Sequence, residues 1–150
     1  MTFFCKHAAR LVLLALLLSG CKIQAISHSP QLAAEAATRF ARLALVERDY
    51  NKAYILLSPD TQKAFTEEAF IKEISKLNPT TYPREVTAKE FEPVPGQKAI
   101  NIFLVGTSSD ETYYYRIILV GDSIAGYTIA GFFRGSGPYP NPEARTPLSK

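Results

Sequence analysis

Tryptophan is absent from this 150-residue chain, and cysteine and histidine occur only twice each. Cys5, Cys21, His7 and His28 all precede residue 29, so the remaining chain has neither thiol nor imidazole. Ser–His and Cys–His nucleophile systems and the usual zinc sites are therefore excluded there, as is a disulfide. A large surplus of charge of one sign is also missing. The formal surplus is +3, of which Lys6 and Arg10 account for two, and the basic residues stand singly among acids. A surface that tracks phosphates is not supported, so no nucleic-acid partner is expected. The one unbroken apolar run, residues 11–18, is far shorter than the roughly 20 residues a transmembrane helix needs.

That run has a specific setting. Lys6 and Arg10 give a positive start, the apolar stretch follows, and Leu18-Ser19-Gly20-Cys21 closes it with small residues and a cysteine. The layout is that of a secretory signal peptide. Its last four residues resemble the lipobox of bacterial lipoproteins. The resemblance implies removal of residues 1–20, acylation of Cys21 on sulfur (palmitate or a similar chain), and usually a second acylation on nitrogen. One acyl chain holds a protein to a membrane marginally and two suffice, at about 0.8 kcal/mol per buried CH₂. Lys22 is not the aspartate associated with inner-membrane retention. By the same resemblance, the expected location is the periplasmic face of the outer membrane in a host that has one.

Residues 21–29 read as a lipidated tether and 30–134 as one domain. Ser29-Pro30 has the form of an N-cap followed by a proline at the first helical position. Leu32, Ala36, Phe40, Leu43 and Val46 then recur at three- and four-residue steps, which predicts a helix over 30–48. Asp49 caps a second helix with Tyr50, Ala53, Tyr54 and Leu57 inward, and Ser58-Pro59 is expected to break it. A third begins at Thr66, buries Phe70, Ile74 and Leu77, and stops at Asn78-Pro79.

After Pro83 the period falls to two. Strands are predicted over 84–92, 97–106, 111–121 and 124–134, joined by loops short enough for hairpins, hence an antiparallel meander. Residues 135–150 are rich in proline and glycine and read as a poorly ordered tail or an extended arm. The expected class is α+β, with three N-terminal helices packed on a curved four-stranded antiparallel sheet.

The strings Arg48-Asp-Tyr-Asn-Lys-Ala-Tyr-Ile-Leu-Leu-Ser-Pro59 and Gly126-Tyr-Thr-Ile-Ala-Gly-Phe-Phe-Arg134 resemble small secreted and lipid-anchored members of the nuclear transport factor 2-like superfamily. The resemblance covers roughly residues 30–134 and implies a cone whose helices close one side of a bent sheet. It implies no single activity, because that architecture carries isomerases, cyclases, dehydratases and binding domains. The enzymes among them mostly use an Asp–His or Asp–Tyr pair, and the first is impossible here.

Within the domain, Tyr50 and Tyr54 from the second helix and Tyr113 and Tyr115 from the third strand could line a pocket or simply fill the core. Arg116, in mid-strand among aromatics, could hold an anion or lie exposed over a tyrosine. The acids have structural roles at hand: Asp49 as a cap, Glu67 and Glu68 in a first helical turn, and Asp110, Glu111 and Asp122 at hairpin turns. No catalytic residue, metal or cofactor is expected. Both faces of the sheet read as apolar, and one helical layer covers only one of them. The other requires a second copy, an envelope protein or the folded-back tail. The function expected is non-catalytic binding of a protein partner or a small apolar ligand in the cone. The alternatives are a structural subunit of an envelope assembly and a small cyclase- or isomerase-type enzyme with an Asp/Glu–Tyr/Arg site.

Overall fold

Ser29 Oγ accepts from the Leu32 amide and Pro30 occupies the first helical position, so α1 (Pro30–Ala41) starts where these residue types favour it. The computed structural model describes residues 26–149. The stretch read as a signal peptide, residues 1–20, together with Cys21 and the stretch read as a tether as far as residue 25, lies outside the described residues.

The helix predicted over 30–48 changes pitch. From Arg42 to Glu47 it widens into a π-helical stretch, and Arg48, in the left-handed region at φ 57°, ends it. The buried face is also offset from the expected stripe. Ala33, Ala37, Phe40, Ala41 and Ala44 are enclosed, whereas Leu32 is 45% exposed. A stripe of alanines lets α1 lie close across β1, β2 and β4.

Asp49 caps α2 (Tyr50–Ile55) through the Lys52 amide at 3.2 Å. The expected stop at Ser58-Pro59 is instead a new start. Ser58 Oγ accepts from the Thr61 amide and Pro59 opens a short helix, α3 (Pro59–Ala64), by the same chemistry as Ser29-Pro30. Thr66 then caps α4 (Glu67–Leu77). The described residues therefore hold four α-helices rather than three.

The strands are β1 (Glu85–Pro93), β2 (Ala99–Thr107), β3 (Thr112–Asp122), β4 (Gly126–Gly135) and β5 (Thr146–Pro147). The first four form the expected antiparallel meander. The fifth corrects the four-stranded reading, because the tail returns and pairs with β1, giving the order β4-β3-β2-β1-β5. Bulges at Ala88/Glu90 and Ile118/Leu119 interrupt the register, and such insertions bend a strand and increase its twist. The architecture is α+β, with helices followed by an antiparallel sheet.

Register sorts the side chains into two faces. Ile100, Ile102, Leu104, Tyr115, Ile117 and Leu119 meet across β2 and β3 on the helix side, where all are buried. Phe40, Phe70 and Phe132 fill the space between the layers, with ring centroids 5.5–6.3 Å apart. The parallel bridge between Leu57 and Ile129 ties the α2–α3 junction to β4, and the Ile129 amide donates to the Leu56 carbonyl at 3.0 Å.

Candidate functional site

The five residues singled out from the sequence do not form one site. Tyr54 packs on Phe70 at 5.7 Å, and its hydroxyl donates to the Phe65 carbonyl at 2.8 Å, so it ties α2 to the end of α3. Tyr50 is half-buried against the same core. Tyr113 and Tyr115 lie on the helix side of β3, stacked at 6.2 Å with an interplanar angle of 4°. Arg116 stands on the opposite face. Its guanidinium lies 4.8 Å over Phe133 and 5.8 Å over Tyr139, and its Nε is buried without a protein acceptor.

Two polar arrangements emerge instead, one on each face. On the helix side, at the end of the sheet where β3 begins, Arg134 reaches in from β4. Its Nη1 donates to the Leu77 carbonyl at 2.8 Å and to Asn78 Oδ1 at 3.0 Å, and its Nη2 donates to Glu111 Oε1 at 2.6 Å. Tyr115 donates to the same Asn78 oxygen at 2.9 Å. The Arg134 guanidinium also lies 4.8 Å over the Tyr113 ring. Asn78 is fully buried, and its side-chain oxygen accepts from both Arg134 of β4 and Tyr115 of β3. The Thr81 hydroxyl (2.6 Å) foremost, with the Tyr113 hydroxyl and the Arg134 cation in lesser parts, holds the Glu111 carboxyl below its ordinary range. Burial pushes the Tyr115 hydroxyl well above the usual tyrosine value. Beside this network opens a groove of about 380 Å³ lined by Lys76, Leu77, Glu111, Thr112, Arg134 and Ser136.

The other arrangement binds the C-terminal arm to the outer face. Tyr139 meets Phe103 edge-on at 5.4 Å. Arg145 lies 4.8 Å over the Phe103 ring, pairs with Glu90 at 2.9 Å and donates to the Tyr139 carbonyl at 2.8 Å. Phe103 is thereby 7% exposed, while Phe133 on the neighbouring part of that face stays 44% exposed.

Sequence reasoning passed over Asn78, Arg134, Glu90, Tyr139 and Arg145, and read Glu111 only as a turn residue. One signal was present: Arg134 stands two residues after Phe132 and so on the same face of the strand, where a charge needs partners. Among the described residues, no group of three His, Cys, Asp or Glu side chains is placed to hold a metal ion. No family model matches the chain, and neither a curated protein nor a solved structure does.

Proposed function

We propose that this chain is a lipid-anchored envelope protein, held by acyl groups on Cys21, whose domain is a non-catalytic interaction module for a protein partner. The observation that carries this reading is the packing between helices and sheet. Phe40, Phe70 and Phe132 occupy the space where a cone would hold a small apolar ligand, while aromatic surface remains open outside at Phe133. The order of elements, helices followed by a bulged antiparallel sheet, supports assigning the fold to the nuclear transport factor 2-like cone. The signal segment and Lys22 support the outer membrane of a two-membrane host as the site of action.

Catalysis is the weaker reading on chemical grounds. Tyr54 and Arg116 have carbonyls and aromatic rings as neighbours rather than acids. On the helix side, the acid next to the Tyr115–Arg134 pair, Glu111, is stabilised as a carboxylate by Thr81 and Arg134. A lowered pKa makes it a poor proton acceptor near neutral pH.

The test is a photo-crosslinker placed at Phe133 and, as a control, at the exposed Asp60 of α3, in cells producing the full chain. A discrete adduct from position 133 and none from position 60 is the expected result. Equal labelling at both positions, or none at 133, would remove the outer face as the docking surface.

A further inference from the structure

Where the described chain begins, it is bonded to two hairpin ends. The Ser123 amide donates to the Ser27 carbonyl at 2.9 Å, and the two serine hydroxyls lie 3.2 Å apart. The Ser29 amide donates to the Tyr127 hydroxyl at 2.8 Å. The His28 ring stacks on Tyr127 and its Nε2 lies 3.3 Å from the Gln97 carbonyl. The stretch read as tether is thus part of the domain from Ser27 on.

The length of chain ahead of this point limits where the domain can stand. Ser27 is six residues after Cys21, and six residues reach roughly 20 Å when fully extended. Strand β3 has 11 residues and spans about 33 Å at its ordinary rise. A bilayer holding Cys21 is therefore within reach of the β3–β4 turn, whereas the β2–β3 turn, a strand length farther on, lies beyond the tether's span.

The β3–β4 turn carries Ile124, 87% exposed, the most open large apolar side chain among the described residues. The backbone of its turn is pinned by a carboxylate. Asp122 Oδ1 accepts from the Ile124 amide at 2.9 Å and from the Ala125 amide at 2.8 Å. Asp122 Oδ2 accepts from Lys98 Nζ at 2.7 Å, so the acid of this turn arrives already neutralised by a cation. Ile26, 39% exposed, directly precedes the Ser27 that bonds this turn. A single exposed isoleucine is ordinary on a protein surface. An isoleucine fixed at a turn to which a short lipid tether is itself bonded is differently placed.

We infer that the β3–β4 turn is a membrane contact, with Ile124 entering the boundary between headgroups and acyl chains of the bilayer that holds the anchor. This rests on the lipid-anchor reading above. The lipid and the turn then act as two attachment points, and the domain stands with one orientation. The groove beside Arg134 and Glu111, at the opposite end of the strands, faces away from the membrane. Single apolar contacts of this kind do not anchor a protein alone, but they cost little once an acyl chain has brought the surface close.

The mature acylated protein has no free thiol if Cys21 carries the lipid, so a single reporter can be introduced. Ile124→Cys and Ser109→Cys variants of the full chain, each carrying an environment-sensitive fluorophore, are reconstituted into vesicles of phosphatidylethanolamine and phosphatidylglycerol containing a lipid-bound quencher. Position 124 is expected to shift to the blue and to be quenched several-fold more than position 109. Protein that co-floats with the vesicles, yet shows equal or no quenching at 124, overturns the membrane contact and leaves the anchor standing. Protein that fails to co-float, with an intact mass lacking acyl groups, overturns the anchor and the contact together.

Discussion

Arg134 and Asn78 are 56 positions apart in the chain and joined at 3.0 Å, and the same guanidinium nitrogen holds the Leu77 carbonyl. One side chain of β4 therefore closes the last turn of α4, whose carbonyls would otherwise lack partners. Replacing Arg134 by Met leaves Asn78 Oδ1 with Tyr115 alone and strips the Leu77 carbonyl of its donor. The expected loss is about 2–3 kcal/mol, from buried groups left unsatisfied, read from the midpoint of urea unfolding. A Glu111→Gln variant keeps those two bonds and is expected to lose less. Equal losses would mean that the ion pair, not the helix closure, is what Arg134 provides.

Two groups give the stability a pH signature at opposite ends of the scale. Lys98 first, and then the Ala125 and Ile124 amides, hold the Asp122 carboxyl down at about 2, against 3.8 for the free side chain. A depressed folded value means that stability is present above about 4 and is lost as pH falls toward 2. Asp122→Asn should flatten that acid decline. Burial raises the Tyr115 hydroxyl above its ordinary value of 10.0. There the unfolded chain releases its proton first, so stability is present below pH 10 and is lost as pH rises beyond it. Tyr115→Phe should flatten the alkaline decline. Unfolding midpoints measured across both ranges check the two signs independently.

Local chemistry was legible in the sequence wherever a single residue type determines it. Ser29, Asp49 and Thr66 cap the helices they were expected to cap, and four strand periods lie within about two residues of the observed strands. Ser58-Pro59 was ambiguous in principle, because the pair that disfavours helix before it also begins the next one. The π-helical stretch from Arg42 leaves no periodic trace in six residues. The polar networks were hidden for another reason. Arg134 with Asn78, and Arg145 with Glu90, meet only after the chain has folded, and no local pattern encodes such a meeting. The cover of the outer sheet face was foreseen as one of three possibilities, and the pairing of β5 with β1 and the seat of Tyr139 on Phe103 place the tail there in part.

Glu90 holds the arm. Its carboxylate is the partner of an Arg145 side chain that is only 8% exposed, and an unpaired guanidinium at that position is unfavourable. Glu90→Ala should release residues 137–149 without unfolding the sheet, because the first four strands keep their ladders. Trypsin should then cut after Arg145 several-fold faster than in the parent, with circular dichroism unchanged. The freed Phe103 should raise binding of an apolar dye, and the stability loss should be about 1–2 kcal/mol, the scale of one aromatic contact with its buried area. An unchanged cleavage rate would show that Tyr139 and the pairing of β5 with β1 seat the arm without the ion pair.

The face of α1 offers the sharpest contrast between residue type and position. Leucine is the stronger apolar residue, yet Leu32 is 45% exposed while Ala33 and Ala37 are fully enclosed. Leu32→Ala should therefore change stability by less than about 0.5 kcal/mol. Ala37→Leu should cost about 1–3 kcal/mol, because added methylenes against the sheet force neighbouring side chains from their rotamers. Phe70→Ala removes the ring that touches Phe40, Phe132 and Tyr54, and should cost about 3–5 kcal/mol. The three midpoints should fall in that order of severity. A costly Leu32→Ala with a harmless Ala37→Leu would mean that α1 is rotated about its axis, with the leucine stripe facing the sheet after all.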